Sequence, residues 1–147
     1  MHVAVDDATR LAYVEVRRRQ GQRACAVFLR HAVQWFARRG IRIRRVLTDN
    51  GSGYRSRMFA RACASWALRH KRTRPYTPRT NGKAERFIQT ALREWAYRWP
   101  YANSNTRTAA LSAWVHYYNW HRPHTSLGGR PPITRVLSAE NLVRLHS

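Results

Sequence analysis

Arg45-Val46-Leu47-Thr48 has the length and apolar centre of a short buried strand, and Asp49-Asn50-Gly51-Ser52-Gly53 directly after it has to turn. A strand that stops on a carboxylate constrains the fold strongly, because helical patterns flank it on both sides. Over 22–39, Ala24, Val27, Phe28, Trp35 and Phe36 recur at helical spacing, with Gly40 placed as a C-terminal cap. Over about 56–68, Phe59, Ala62, Cys63 and Trp66 share one stripe, and His70-Lys71-Arg72-Thr73 is a further candidate strand. This alternation of helix and strand predicts an α/β domain. Ligands of open α/β sheets gather at the carboxyl ends of the strands, which is where Asp49 is delivered.

The flanking segments extend the pattern. His2-Val3-Ala4-Val5-Asp6 and Leu11-Ala12-Tyr13-Val14-Glu15-Val16 read as two strands of a hairpin joined through Asp7-Ala8-Thr9-Arg10. Residues 75–82 contain Pro75, Pro78 and Gly82 and cannot be helical throughout. A long helix is predicted from there to about residue 98, with Ile88, Ala91, Leu92 and Trp95 as its buried stripe and Glu85 in its first turn. Another, over about 106–120, turns Ala110, Leu111, Trp114, Val115 and Tyr118 inward and is stopped by Arg122-Pro123. Trp35, Trp66, Trp95 and Trp114 all fall on these stripes as core residues. Residues 124–147, with Gly128-Gly129 and Pro131-Pro132, predict an extended tail ending in a short helix at 138–145.

Composition decides which partners such a domain can have. A chain of 147 residues holds one domain with a real core, and 44% hydrophobic content with six Trp excludes a disordered basic tail. Against seven acids stand 28 Lys and Arg, net charge +21, spread from Arg10 to Arg144. Such a charge repels itself until a polyanion or counterions neutralise it. Only Lys71 and Lys83 are lysines, and the planar guanidinium of the rest suits bidentate phosphate contacts. Cys25 and Cys63 lack paired spacing and read as small apolar residues in a reducing compartment. The sequence has neither a membrane-length apolar stretch nor a signal-peptide pattern, which predicts a cytoplasmic protein without a membrane partner.

With so few acids, two of them stand out. Asp49 and Glu85 are separated by 35 intervening residues, and a pair of carboxylates brought together can share a divalent metal. Phosphodiester transfer needs charge spread between an attacking and a leaving oxygen. Two metal ions held by hard oxygen ligands meet that need. Each acid also has a plain structural reading: Asp-Asn-Gly makes tight turns, and a Glu in a first helical turn complements the helix end. Lys71, Arg72 and Arg74 precede the turn-rich loop while Asn81, Lys83 and Arg86 surround Glu85, a distribution able to hold phosphates or simply to form a solvated basic face. His116, His121 and His124 lack the Cys or carboxylate companions of a zinc site and fit a packed helix end.

Three motifs in order, Val46-Leu47-Thr48-Asp49-Asn50-Gly51, Thr80-Asn81-Gly82-Lys83-Ala84-Glu85-Arg86, and Tyr118-Asn119-Trp120-His121-Arg122-Pro123-His124 with Leu127-Gly128-Gly129, resemble bacterial insertion-sequence transposases with a retroviral-integrase-type core. The resemblance runs from residue 2 to about 136. It implies a ribonuclease-H-like fold, a mixed sheet flanked by helices, with an integrase-type core over 2–136 and a tail with a short helix over 137–147. It implies an Asp-Asp-Glu triad binding Mg²⁺ or Mn²⁺, in which Asp49 matches the second acid and Glu85 the third, and DNA strand transfer by a homo-oligomer on element ends and target DNA. The family's first acid lies on a central strand upstream of the segment matched by residues 3–11. Asp6 and Asp7 are therefore expected to be hairpin residues, and the chain to be an inactive fragment lacking that strand. The alternatives are a non-catalytic basic DNA-binding module and a carboxylate-pair glycosidase, whose neutral substrates would gain nothing from the positive charge.

Overall fold

The computed structural model describes residues 1–74 and 82–136. The chain divides into two compact units, one of Met1–His2 with Glu15–Gly82 and one of Val3–Val14 with the chain from Lys83 onward. Among the described residues the strands form two separate pairs, β1 (His2–Val5) with β2 (Ala12–Glu15) and β3 (Arg45–Thr48) with β4 (Arg69–Arg72). The mixed α/β class and the strand positions agree with the sequence reading. No helix among the described residues is long and apolar enough to cross a membrane.

In the first unit, α1 (Gln22–Ala37) and α2 (Arg57–Ser65) pack on each other, and Cys25, Leu29, Phe59, Cys63 and Leu68 form the buried cluster. The α1 helix closes through Ile41 N–H donating to Phe36 O at 3.0 Å, which carries Gly40 at φ 77°, a left-handed conformation that glycine adopts without a Cβ clash. Ser56 caps α2, its Oγ accepting from Phe59 N–H at 3.1 Å. Parallel strands need a crossover, and α2 supplies it between β3 and β4, which pair Arg45 with Arg69 and Thr48 with Arg72.

Two tryptophans depart from their expected core positions. Trp66 is 40% exposed because α2 ends at Ser65; Ala67 takes φ 53° and it is Leu68 that turns inward. Trp35 is half-buried beneath the Arg39 guanidinium, 3.6 Å from the ring centroid, while Ala32 and Phe36 hold the adjacent core positions.

The second unit is built on the β1–β2 hairpin, α3 (Gly82–Ala91) and α4 (Ser104–Trp120), with Phe87, Trp95, Leu111, Trp114 and Tyr118 at its centre. Of the stripe expected for this helix, Ala91 and Trp95 are buried, but the other two positions are not. Ile88 and Leu92 are partly exposed, and Phe87 and Thr90 are buried instead. Thr90 can be buried because its hydroxyl donates to Arg86 O at 2.8 Å, a local satisfaction that hydrophobic periodicity does not register. A π-helical turn, Leu92–Ala96, follows and brings both Trp95 and Ala96 inside.

The resemblance motif at 118–124 has structural work in this unit. Asn119, 2% exposed, accepts from Ala12 N–H at 2.9 Å and donates to Ala12 O at 2.8 Å, so it satisfies the outer edge of β2 as a neighbouring strand would. Arg122 forks onto Glu94 with contacts of 2.6–3.0 Å, and this hydrogen-bonded guanidinium holds the Glu94 carboxyl below its ordinary value. His124 packs edge-on against Tyr118. Residues 124–136 are not the extended tail that the prolines and glycines indicated. Gly128 and Gly129, both at positive φ, fold the chain back so that Leu127, Pro132, Ile133 and Val136 are buried. The expected helix at 138–145 lies outside the described residues.

Replacing Asn119 with Ala leaves both polar groups of Ala12 without a partner, at about 1–3 kcal/mol for each orphaned group. Urea unfolding should show that loss. The Arg122–Glu94 pair gives stability that is fully present above the ordinary carboxylate value of 4.5 and is lost as pH falls through the lowered folded value. A titration of the urea midpoint from about pH 6 to about pH 3 should show that decline, and Glu94→Gln should flatten it.

Candidate active site

Asp49 follows the last residue of β3, and the architecture around it is that of a strand end held by its neighbours. Thr73 N–H donates to Thr48 O at 2.8 Å and Asn50 Nδ2 donates to Thr73 O at 2.8 Å, which locks the carboxyl ends of β3 and β4 side by side. Thr48 Oγ1 donates to the Asp49 carbonyl at 3.0 Å and lies 2.8 Å from His70 Nε2. With the hydroxyl proton given to the carbonyl, that contact requires the His70 Nε2 proton to be the donor. His70 also meets the Phe59 ring edge-to-face, and its burial lowers its pKa.

The Asp49 side chain is exposed, and Oδ1 accepts the Gly51 N–H at 2.8 Å. The turn reading of Asp-Asn-Gly therefore holds. It occupies one carboxylate oxygen, and among the described residues no cation pairs with the group. Behind the turn, Tyr54 lies against Cys25. Burial, with Cys25 and Asp49 adding negative charge nearby, pushes the phenol up to about 12, and burial followed by Asp49 raises the Cys25 thiol.

Two glycines make this turn possible for different reasons. A Cβ on Gly51 would stand 2.9 Å from Asp49 Oδ1, so glycine leaves the carboxylate room to fold back onto its own backbone. A Cβ on Gly53 would stand 2.5 Å from Cys25 Sγ and 3.3 Å from the Gly21 backbone, a contact with the core itself.

The remaining expected residues separate into two groups. Lys71 and Arg72 are exposed on β4, with Thr48 in register with Arg72, and Arg74 follows just beyond; all share the first unit with Asp49. Glu85 and Arg86 are exposed in the first turns of α3, in the second unit. Glu85 has no ion pair among the described residues. Lys83 donates to the Asp7 carboxylate and, at 3.1 Å, to the Asp7 carbonyl, a partner that sequence spacing gave no reason to expect. Asn81 lies outside the described residues. Asp6 accepts from Thr9 N–H at 2.8 Å and Thr9 Oγ1 at 2.6 Å, so both hairpin acids serve the turn or its neighbour. Among the described residues no group of three His, Cys, Asp or Glu comes together. Asn50, read from sequence only as a turn residue, is the contact that sequence reasoning missed; its partner, 23 positions away, leaves no local signal.

Comparison with known proteins gives the family of the chain. Two matches to the family described as integrase core domain cover residues 1–78 and 67–132, the first alone more than half of the chain. The chain belongs to the integrase core domain family. It is 41% identical over 90 residues to the Escherichia coli transposase InsD of insertion element IS2A/D/F/H/I/K, a match covering 58% of this chain and 29% of that protein. Across the first such relatives the chain spans 29–39% of their length. The catalytic core of BIV integrase superposes with a TM-score of 0.73 at 22% identity, covering 97% of this chain and 88% of that one. A simian T-cell lymphotropic virus intasome in complex with PP2A regulatory subunit B56 gamma superposes at 0.68 and 25% identity, covering 89% and 45%. The integrase core thus has the ribonuclease-H-like α/β fold of retroviral catalytic cores.

Gly51→Ala in this integrase core should displace the Asp49 carboxylate while changing stability little, since the clash is with the end of a movable side chain. Gly53→Ala should cost about 1–3 kcal/mol because the contact is with packed core. Parallel urea titrations distinguish the two.

Proposed function

We propose that this integrase core carries part of the catalytic site of a transposase, with Asp49 and Glu85 as metal-holding carboxylates acting in DNA strand transfer. The observation that carries the reading is the exposed Asp49, without a cation partner among the described residues, at the carboxyl end of a parallel strand pair in a chain of net charge +21. In so cationic a protein an acid without a cation partner is available for a different positive ligand. The donor set fits Mg²⁺ or Mn²⁺: carboxylate oxygens, with neither thiol nor imidazole paired to them. Bound there, the metal would stabilise charge on the reacting phosphate oxygens.

The protein groups have separate parts in this proposal. The Gly51 N–H fixes one oxygen of Asp49 and leaves the other directed by the turn. Glu85 offers its carboxylate from the first turn of α3. Lys71, Arg72, Arg74, Asn81, Lys83 and Arg86 hold DNA phosphates, restraining the reacting strand. Lys83 reaches phosphate by exchanging Asp7, whose side chain is 86% exposed, and an exposed ion pair of this kind is worth little enough to be replaced. Element ends and target DNA are the substrates, and the working enzyme is a homo-oligomer, in keeping with the transposase and intasome names of the relatives. A cytoplasmic location accords with such substrates in a bacterium.

Isothermal titration of Mn²⁺ tests the reading independently of activity. Asp49→Asn and Glu85→Gln should each weaken binding on the order of tenfold or more. Unchanged affinity in both variants would discard the metal site and leave a basic DNA-binding module as the description.

A further inference from the structure

The connection between β2 and α1 carries Arg17, Arg18 and Arg19, and Arg23 follows in the first turn of α1, so four guanidiniums fall within seven residues. They line an open cavity of about 540 Å³ that also has an apolar surface, supplied by Val16, Ala24 and Val27. Val16, a β-branched apolar residue directly after β2, is 45% exposed.

The charges in the cavity are unequally committed. Arg17 Nε and Nη2 both reach Glu15 at 2.7 Å, and Glu15 also meets His31 Nδ1 at 2.7 Å, so this acid is already shared. Arg18, Arg19 and Arg23 are exposed and have no ion pair among the described residues. Three unneutralised cations around an apolar hollow favour a ligand with two properties. It must carry more than one negative charge, and it must present a body with little affinity for water. Inorganic phosphate has the first property alone. A nucleotide within a DNA strand has both, with phosphates on either side of a sugar and base, and the cavity is of the size that holds such a group. In a duplex the base is stacked and paired, so the apolar surface is useful only toward an unpaired nucleotide.

We propose that this cavity is a subsite for an unpaired nucleotide of a DNA strand. Val16, Ala24 and Val27 receive its base or sugar, and Arg18, Arg19 and Arg23 receive the flanking phosphates. The proposal rests on the reading of the integrase core as a DNA-handling domain, but it shares no residue with the metal-holding acids or their phosphate contacts.

Fluorescence anisotropy on the full 147-residue chain, with EDTA present so that metal plays no part, tests it. The probes are a labelled duplex with a short single-stranded overhang and the same duplex blunt-ended. Val16→Asn, which removes apolar surface without changing charge, should weaken overhang binding roughly five- to tenfold and leave blunt-end binding unchanged. The triple variant R18A/R19A/R23A should reduce the log–log salt slope for overhang DNA by about 2. A control of equal charge loss on other exposed arginines, R42A/R57A/R61A, should reduce the slope and affinity less. Unchanged overhang binding in Val16→Asn, or equal losses in the two triple variants, would overturn the subsite. Because the assay is free of metal, that failure is separate from failure of the catalytic reading, which appears as unchanged Mn²⁺ affinity in Asp49→Asn and Glu85→Gln.

Discussion

Parallel pairing of β3 with β4 is the constraint on which the geometry of the first unit depends. An antiparallel pair could have been closed by a tight turn and would have placed the end of one strand against the start of the other. A parallel pair requires the α2 crossover and sets both carboxyl ends together. Thr48 and Arg72 become cross-strand neighbours for that reason, although they lie 24 positions apart in the chain. The inner face follows from the same register. Val46 and His70 turn toward the helices, where His70 contacts Phe59, while Leu47 and Lys71 remain exposed on the other face.

Charge distribution gives the acids their meaning. Of the seven acids, six lie in the described residues, and most have structural assignments: Asp6 in its turn, Asp7 with Lys83, Glu15 with Arg17 and His31, and Glu94 with Arg122. Asp49 and Glu85 remain without cation partners among the described residues, despite the large excess of guanidiniums. Both are exposed, where an ion pair with a nearby guanidinium is worth little. Each therefore presents its carboxylate to solvent rather than to a side chain of the described residues.

Elements set by local chemistry are legible from sequence. The hairpin, the strand before Asp49, α1 with Gly40 after it, and the two helices ending near residues 65 and 120 follow from turn residues and periodicity. What escapes depends on contacts distant in sequence or on a hydroxyl bonded within its own helix. Thr90 counts as polar and so shifts the predicted face of α3. Trp66 counts as core only if the stripe is carried past the true end of α2. The Gly128-Gly129 segment reads as extended, although two successive positive-φ residues reverse the chain. At the candidate site, Asp49 and Glu85 stand out by motif, but the engagement of Lys83 with Asp7, 76 positions away, cannot be read from spacing. Asn119 looks like part of a motif, and its role emerges only with its partner Ala12, 107 positions earlier.

The bond between Asn119 and Ala12 also bears on biosynthesis. Residues 15–82 form one unit from nearly continuous chain, whereas the hairpin belongs to a unit whose other members are translated after it. Its outer edge is satisfied by a side chain that leaves the ribosome more than a hundred residues later. During translation the Ala12 N–H and C=O therefore lack their native partner until residue 119 has been made. A nascent-chain chaperone binding this hairpin would be guarding the segment with the longest delay before its native partner exists.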